Sequence, residues 1–366
     1  MSVSQVLRLE EILDKAAQEI SLTYDEIVFL LELDNHEQIE KVFQVARDLR
    51  TKHFDNKIFL YGFIYFSTYC RNNCTFCLYR KTNNVFERYR KSKDEILDAA
   101  SRFAESGVHL LDLTMGEDPE YLNDAQGTDR LIDLVRRVKE TTGLPIMISP
   151  GVVPEHLLAQ LKNAGADWYA CYQETHNRQL YKKLRTRQSY DERMEIKQAA
   201  RKMGLLIEEG LLAGIGETTE DIAQSIQVMK NIEADQVRVM SFVPQEGTPM
   251  WTVEPPHRLR ELLIIAVMRL TEADRLIPAS LDVDGLVGLK ERIQAGANVV
   301  TSIIPPKTGL AGVSHSYLDI DEGNRSVERV IAELKTCGLE SATIEEYFQW
   351  IERRKNKAVT ASKRSQ

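Results

Sequence analysis

The feature that most limits the possible folds is a regular alternation of short apolar segments with longer amphipathic segments. The alternation repeats eight times between residues 58 and 303. Short apolar segments bounded by turn residues are typical of strands, and the amphipathic segments have the periodicity of helices. The predicted strands are Ile58–Phe66, His109–Leu113, Pro145–Ser149, Asp167–Tyr172, Leu205–Leu211, Gln236–Phe242, Leu276–Leu281 and Asn298–Ile303. The predicted helices between them are Lys93–Ser106, Asp129–Thr141, Glu155–Asn163, Tyr190–Met203, Thr219–Ile232, Arg258–Thr271 and Leu286–Gln294.

The predicted strands are of the kind found in parallel sheets. Several are apolar through most of their length, as parallel strands covered on both faces are. Eight strand–helix units in one chain predict an α/β fold, a closed (β/α)8 TIM-type barrel. An open doubly wound sheet is the competing fold, but no dinucleotide-binding glycine motif follows the first predicted strand.

The barrel is predicted to occupy residues 55–340. Residues 1–54 are predicted to form an N-terminal helical segment, because their apolar residues recur at helical spacing. Residues 341–366 are predicted to form a C-terminal helix and a basic tail. We expect the polar stretch from Arg353 onward to be frayed or disordered.

The bulk properties exclude several classes of partner. A net charge of -8 disfavours binding to nucleic acid. No basic opening segment precedes an apolar one, and no apolar run approaches membrane-spanning length. We therefore expect a cytoplasmic protein with no membrane partner.

Three cysteines in one short segment, Cys70, Cys74 and Cys77, have the spacing C-x3-C-x2-C. Three thiolates so close together can ligate three irons of a cubane cluster and leave the fourth iron open, as a catalytic site requires. A zinc site would need a fourth Cys or His at a companion spacing, and Cys171 and Cys337 are distant in sequence. A disulfide framework is disfavoured because the five cysteines are few and clustered.

The cysteine motif resembles that of the radical S-adenosylmethionine (SAM) enzymes, whose open iron binds the amino and carboxylate groups of SAM. In those enzymes the aromatic residue before the third cysteine, here Phe76, lies near the adenine. The segment Met115–Pro119 is similar to their Gly-Gly-Glu-Pro segment, which receives the methionyl ammonium, with Met115 in place of the first glycine. The segment Gly210–Glu217 resembles their fifth-strand motif, G-x-I-x-G-x-x-E, which lines the adenine.

The segment Ser189–Arg193 resembles the part of biotin synthase and its relatives whose arginine pairs with the SAM carboxylate. A guanidinium suits that role because it donates two parallel hydrogen bonds. The alternative for Arg193 is an exposed helix position. The resemblance implies that the radical forms on the cofactor, with no catalytic side chain, and it implies a cofactor-binding role for Phe76, Met115, Gly116, Glu117, Ser149, Glu174, Arg193, Leu212 and Gly214.

Charged residues near the ends of the strands suggest the substrate. Arg238 lies in an apolar predicted strand, where a lone charge is costly unless it is paired. Alternation places it on one face with Met240, and places Ser280 and Asp282 on one face of the next strand. If these faces line the lumen, Arg238 and Ser280 could hold a carboxylate, while Asp282 and Asp112 could hold two ammonium groups. Lysine or ornithine would fit, and a purely structural Arg238–Asp282 ion pair is the alternative.

Longer segments narrow the resemblance to the methylornithine synthases of pyrrolysine biosynthesis, a family related to biotin synthase and the FeFe-hydrogenase maturases. The segments that carry it are Ile64–Cys70, Leu113–Pro119, Ile146–Gly151, Val237–Met240, Pro244–Pro249 and Ile277–Asp282.

The resemblance implies a [4Fe-4S] cluster and SAM as cofactors, L-lysine as substrate, and a flavodoxin- or ferredoxin-type electron donor. It also implies that Asp112, Arg238, Ser280 and Asp282 hold the substrate. In the implied reaction a 5′-deoxyadenosyl radical removes a hydrogen from lysine, the lysyl radical fragments and recombines at another carbon, and (3R)-3-methyl-D-ornithine forms.

Three alternatives remain open at the level of sequence. A sulfur-inserting enzyme like biotin synthase would need further cysteines for a second cluster. A lyase acting on another amino acid shares the SAM-binding segments. A non-catalytic zinc-binding barrel would differ from all of these in holding no inorganic sulfide.

Overall fold

The structure, a computed structural model, describes residues 3–310, 312 and 320–364. The strands are β1 (Lys57–Ser67), β2 (Leu110–Met115), β3 (Ile146–Ser149), β4 (Ala166–Ala170), β5 (Leu206–Ala213), β6 (Gln236–Ser241), β7 (Pro278–Ser280), β8 (Val299–Ile303) and β9 (Glu340–Ser341). The first helices are α1 (Val3–Ala17), α2 (Tyr24–Leu31), α3 (His36–Phe54), α4 (Lys93–Ser106), α5 (Pro119–Leu122), α6 (Ala125–Thr142) and α7 (Glu155–Asn163). The later helices are α8 (Arg178–Leu184), α9 (Tyr190–Lys202), α10 (Thr219–Asn231), α11 (Arg258–Thr271), α12 (Leu289–Gln294), α13 (Val327–Thr336) and α14 (Ile344–Arg364).

Strands β1 to β8 form the wall of a parallel barrel. Their order is β6-β5-β4-β3-β2-β1-β8-β7. The remaining seam lies between β6 and β7, where the Val237 N–H donates to the Leu276 carbonyl at 3.0 Å and the Leu276 N–H donates to the Asp235 carbonyl at 3.2 Å. The predicted (β/α)8 barrel is therefore confirmed, with β6 and β7 joined only by a short bridge.

The capping residues explain why several helices begin and end where the sequence predicts. Ser92 accepts a hydrogen bond from the Glu95 N–H in a capping box at the start of α4. Gly107 ends that helix in the left-handed conformation at φ 88°, which costs glycine little. Helices α4, α7 and α11 have the predicted bounds.

The N-terminal helices pack on the outside of the barrel. Helix α3 lies against α11, and α2 lies against α10. The buried Arg50 of α3 donates to the Ile293 carbonyl at the end of α12. No helix in the described ranges combines the length and apolar character that crossing a bilayer requires.

Helix α14 covers the amino end of the barrel. The Trp350 ring stacks on Trp168 of β4, with centroids 5.8 Å apart and planes at 3°. The Tyr347 hydroxyl lies 2.6 Å from that of Tyr61 in β1. Since parallel strands carry active sites at their carboxyl ends, this covered end is the structural one.

The expectation that the chain is frayed or disordered from Arg353 onward is wrong over residues 353–364, because α14 continues to Arg364. Arg354 is buried and donates to Asp235 at 2.8 Å. Lys355 donates to Asp167 at 2.9 Å. These basic residues form ion pairs with carboxylates at the amino end of the barrel, and the composition of the tail does not indicate those partners. Residues 365–366 lie outside the described residues.

Trp350→Ala should destabilise the protein by about 3–5 kcal/mol, because it removes a large buried ring from the contact between α14 and the barrel. The measurement is the midpoint of urea unfolding followed by circular dichroism. Phe348→Ala is the matched control, since that ring is 39% exposed on the same helix. Equal destabilisation by the two substitutions would contradict the prediction.

Candidate active site at the carboxyl end of the barrel

The three predicted cluster ligands lie in the loop that follows β1. Cys74 is buried, Cys70 and Cys77 are half-buried, and all three are free thiols. Burial raises the pKa of Cys77, and the negative charges of Cys74 and Cys70 raise it further. The three sulfurs are therefore close enough to interact electrostatically. Within the described ranges no three His, Cys, Asp or Glu side chains converge as a mononuclear metal site requires. A cubane cluster attaches each thiolate to a different iron and does not need that convergence.

One guanidinium organises the cysteine loop. Arg88 donates to the carbonyls of Thr68 at 2.5 Å, Tyr79 at 3.2 Å, Arg80 at 2.5 Å and Asn83 at 3.0 Å. These bonds satisfy main-chain acceptors from both ends of the loop, which has little regular secondary structure of its own. Sequence reasoning missed Arg88, because nothing in the sequence distinguishes it from the other arginines of the loop.

Gly116 lies directly against the cysteine loop. Its N–H donates to the Ser67 carbonyl at 3.1 Å. A Cβ at this position would lie 2.2 Å from the Tyr69 carbonyl oxygen and 2.9 Å from the Cys70 Cβ, so only glycine fits. The preceding Met115 side chain is buried in the hydrophobic core. The segment therefore brings main chain, and not the Met115 side chain, close to the cysteines.

Glu117 and Arg193 pair with each other at this end of the barrel. Arg193 Nη2 lies 3.1 Å from Glu117 Oε1, and Arg193 Nη1 lies 2.9 Å from Cys171 Sγ. Glu117 also accepts from Arg71 Nε at 3.0 Å and from the Val152 N–H at 3.2 Å. Arg193 is 3% exposed, so the alternative of an exposed helix position is wrong. A facing guanidinium and carboxylate match the two charges of an amino-acid group.

Glu174 ends the fourth unit of the barrel in the left-handed region, at φ 68°. Its N–H donates to the Gly210 carbonyl at 3.1 Å, and its carbonyl accepts from the Leu212 N–H at 3.0 Å. Burial raises the pKa of Glu174, while the nearby Arg185, whose Nη2 lies 2.9 Å from Glu174 Oε1, opposes that increase. The backbone bonds hold Glu174 and Leu212 side by side.

Gly214 shapes the turn after β5. It has φ +91°, and a Cβ there would lie 2.4 Å from Pro256 Cδ. Its N–H donates to Glu217 at 2.9 Å, and the Ile215 N–H donates to the same carboxylate at 2.8 Å. Glu217 thus stabilises the turn through these two hydrogen bonds, and Gly214 contributes only main-chain atoms.

A cavity of ≈ 80 Å³ is lined by some members of each of the three predicted sets of residues. Its lining includes one predicted cluster ligand, Cys77, and one predicted substrate residue, Asp282. It also includes the predicted cofactor residues Phe76, Glu174 and Leu212. The cysteine loop and the barrel lumen therefore share one cavity.

Arg238 lies in the barrel lumen and has an unsatisfied edge. Its Nε donates to Glu208 Oε1 at 2.6 Å, and Tyr172 donates to the other oxygen of that carboxylate at 2.7 Å. The rings of Phe63 and Tyr172 flank the guanidinium at 5.7 and 5.6 Å. Nη1 contacts Met240 Sδ at 3.6 Å, and the buried Nη2 has no hydrogen-bond partner among the described residues. Because buried donors are normally satisfied, this edge is suited to a carboxylate ligand.

Asp112 is a buried carboxylate of the lumen with a raised pKa. It is 1% exposed and accepts from Ser149 Oγ at 2.8 Å. Burial raises the pKa of Asp112 to about 7, and the nearby Glu208 contributes to the increase. A cation bound beside it would lower that pKa again. Ser149, predicted to bind the cofactor, thus contacts a predicted substrate residue.

Asp282 lies in a network of donors. It accepts from Arg325 Nη1 at 2.6 Å, from the Tyr65 hydroxyl at 2.5 Å and from Ser302 Oγ at 2.9 Å. Ser280 Oγ lies 3.4 Å from Ser302 Oγ and accepts from the Asp282 N–H at 3.3 Å. The predicted pair Ser280 and Asp282 is therefore brought together within the lumen.

The structural alternative of an Arg238–Asp282 ion pair is wrong, because each of these residues has another partner. Sequence reasoning missed both partners, Glu208 and Arg325. Period-two alternation with Leu212 could have placed Glu208 in the lumen. No sequence signal identifies Arg325, which lies beyond the last barrel strand.

Comparison with known proteins agrees with this geometry. Residues 64–229 match the Radical SAM superfamily. The chain is 43% identical over 334 residues to the 3-methylornithine synthase of Methanosarcina acetivorans, covering 91% of this chain and 94% of the relative. It is 29% identical over 264 residues to the [FeFe] hydrogenase maturase subunit HydE of Thermotoga maritima, covering 71% and 74%. The crystal structure of methylornithine synthase (PylB) superposes with a TM-score of 0.88 at 41% identity, covering 93% of this chain and 99% of that chain.

The barrel and its cysteine loop define a radical SAM enzyme. Within that superfamily, the chain belongs to the 3-methylornithine synthase family. Its cofactors are accordingly a [4Fe-4S] cluster and SAM. The cysteine loop fits such a cluster, because three free thiols lie in one loop and N–H groups already donate to two of them, at Cys70 and Cys74. The zinc-scaffold alternative is therefore set aside.

Proposed function

We propose that this chain is the mutase that converts L-lysine to (3R)-3-methyl-D-ornithine, the first step of pyrrolysine biosynthesis. The observation that carries the proposal is the unsatisfied edge of Arg238 in a lumen that also contains Asp112. Lysine has one carboxylate and two ammonium groups. In this assignment Arg238 and Ser280 hold the carboxylate, and Asp112 and Asp282 hold the ammonium groups.

In the proposed cofactor site, Cys70, Cys74 and Cys77 ligate three irons and leave one iron for SAM. When bound, the cluster and SAM supply the radical that removes a hydrogen from the substrate. The chain's own part is to bind and orient SAM. We assign that role to Phe76, Met115, Gly116, Glu117, Ser149, Glu174, Arg193, Leu212 and Gly214.

The proposed substrate clamp explains how fragments of a cleaved lysine stay in place. Arg238 would keep the carboxylate-bearing fragment, and Asp112 would keep the amine-bearing fragment. Both side chains are nearly inaccessible to solvent, so the reacting atoms would be protected from water. Arg325 already offsets the charge of Asp282, so we assign the stronger hold on an ammonium to Asp112.

The alternatives within radical SAM chemistry receive less support. Sulfur insertion would use a second cluster, but Cys171 contacts Arg193 and Cys337 ends α13, apart from each other. A lyase acting on another amino acid is the remaining alternative. The mutase is favoured over this lyase because the 43% identical relative is a 3-methylornithine synthase.

The test is an anaerobic incubation of the reconstituted protein with SAM, a low-potential reductant and L-lysine. Products are followed by mass spectrometry with chromatographic separation of isomers. A SAM-dependent species with the mass of lysine and a new retention time would support the mutase. Formation of 5′-deoxyadenosine with lysine untouched would leave the radical SAM assignment and refute the substrate.

For partners and location we propose a flavodoxin- or ferredoxin-type protein as the electron donor, and the cytoplasm as the compartment. A cluster that must be reduced by one electron needs a low-potential carrier protein. A reducing compartment also keeps the cysteine loop free of disulfides.

Lysine should bind more tightly as the pH rises through about 7. The pKa of Asp112 is raised to about 7 in the free enzyme, so the carboxylate that would hold an ammonium is neutral at lower pH. The KM for lysine should therefore fall between pH 6 and 8, while lysine itself stays fully protonated on its side chain. Asp112→Asn should raise KM and abolish this pH dependence. An unchanged pH profile in that variant would refute the role of Asp112.

A further inference from the structure

Two side chains from the turn between α8 and α9 reach the sulfur of Cys74. Gln188 Nε2 lies 3.0 Å from Cys74 Sγ, and Arg185 Nη1 lies 3.6 Å from it. Arg185 is buried, with 9% of its surface exposed. Neither residue belongs to the segments that resemble known SAM-binding motifs.

The turn is fixed against the cysteine loop by its backbone, so these contacts do not depend on two flexible side chains alone. The Thr75 N–H donates to the Leu184 carbonyl at 2.8 Å. The Thr186 hydroxyl donates to the Asn73 carbonyl at 3.1 Å. The loop residues on both sides of Cys74 are therefore bonded to residues on both sides of Arg185.

The same two side chains also contact residues of the proposed SAM site. Arg185 Nη2 donates to Glu174 at 2.9 Å, and its guanidinium lies over the Phe76 ring at 5.3 Å. The side-chain oxygen of Gln188, Oε1, accepts from Arg193 Nη2 at 3.0 Å. The terminal group of each side chain is thereby bonded to a second partner, while one of its nitrogens faces the sulfur.

A thiolate that binds iron still accepts hydrogen bonds, and hydrogen bonds to cluster sulfurs help to set the reduction potential. Reduction adds one electron to the cluster, and the low-potential donor is oxidised by one electron. A fixed N–H dipole and a buried cation next to the sulfur both stabilise the added negative charge.

We propose that Arg185 and Gln188 are positioning residues that raise the reduction potential of the cluster by donating to Cys74. The inference rests on the proposed function, through the assignment of Cys74 as a ligand. It assigns a redox role to a turn that would otherwise only connect two helices.

The test is a redox titration of the reconstituted protein, monitored by electron paramagnetic resonance, with iron and sulfide content determined for every sample. Gln188→Leu removes the donor at similar size, and Arg185→Gln removes the buried charge. Each should lower the ratio of reduced to oxidised cluster about tenfold at a fixed potential, which for one electron corresponds to about 59 mV. Arg185→Lys should restore part of the loss, because it keeps the charge. Lys182→Gln is the control, since that residue is exposed on α8.

A full cluster with unchanged potential in Gln188→Leu and Arg185→Gln would overturn the inference and leave the proposed function intact. If the Arg185→Gln protein binds too little iron for a titration, the reduction potential of the Gln188→Leu protein is the deciding measurement. The Gln188→Leu substitution leaves the backbone hydrogen bonds of the turn unchanged. A wild-type protein that holds no cluster under the same reconstitution would instead refute the proposed function. An equal shift in Lys182→Gln would also overturn the inference, because the effect would then be one of overall charge.

Discussion

Cys74→Ala should abolish the bound [4Fe-4S] cluster and all cleavage of SAM. Cys74 is the buried thiol of the cysteine loop, and two side chains outside the loop donate to its sulfur. With two thiolates left, one iron loses its protein ligand and the cluster loses its attachment on the side of α8. The measurements are iron and sulfide content after anaerobic reconstitution, and 5′-deoxyadenosine formation with a low-potential reductant. Retention of stoichiometric iron and sulfide would refute the role of Cys74.

Cys337→Ala is the matched control for this substitution. It removes a half-buried thiol at the end of α13, outside the cysteine loop, and should leave cluster content and SAM cleavage at wild-type levels. Cys171→Ala is a less suitable control, because Cys171 Sγ contacts Arg193. Loss of the cluster in Cys337→Ala would mean that the three-cysteine assignment is incomplete.

The barrel could be predicted from sequence because its signals are local. Apolar strands, amphipathic helices and glycine stops recur at regular intervals, and each helix cap involves residues only a few positions apart. Strand β7 is shorter than its predicted range because only a short bridge joins it to β6. Such a pairing depends on a strand that is distant in the chain, so the local sequence pattern does not indicate it.

The site could be predicted only in part, for the same physical reason. Motif residues such as Cys70 and Gly116 are recognisable because their chemistry or backbone geometry restricts the choice of residue. The partners of Arg238 and Asp282 could not be read, because an ion pair in the lumen joins residues far apart in the chain. The order of the C-terminal helix was missed because Arg354 is stabilised by Asp235, which composition alone does not indicate.

Arg238→Lys should weaken lysine turnover strongly while it spares the cluster. The ammonium of the substituted side chain keeps a positive charge beside Glu208. It cannot present the two parallel donors of the guanidinium to the substrate carboxylate. The loss of a buried charged hydrogen bond costs about 2–5 kcal/mol, so kcat/KM for lysine should fall by roughly 30- to 4000-fold. Iron and sulfide content and lysine-independent cleavage of SAM should be unchanged. Arg137→Gln, on the exposed face of α6, is the control for loss of an arginine.

A substrate analogue makes this test specific for the carboxylate. 1,5-Diaminopentane has both amino groups of lysine and lacks the carboxylate that Arg238 would bind. The wild-type enzyme should bind lysine more tightly than this diamine, measured as inhibition of lysine turnover by the diamine, and this preference should be much smaller in Arg238→Lys. If the variant loses activity and still discriminates fully against the diamine, another residue must bind the carboxylate. In that case Arg238 would act through Glu208 and Tyr172, as part of the wall of the lumen.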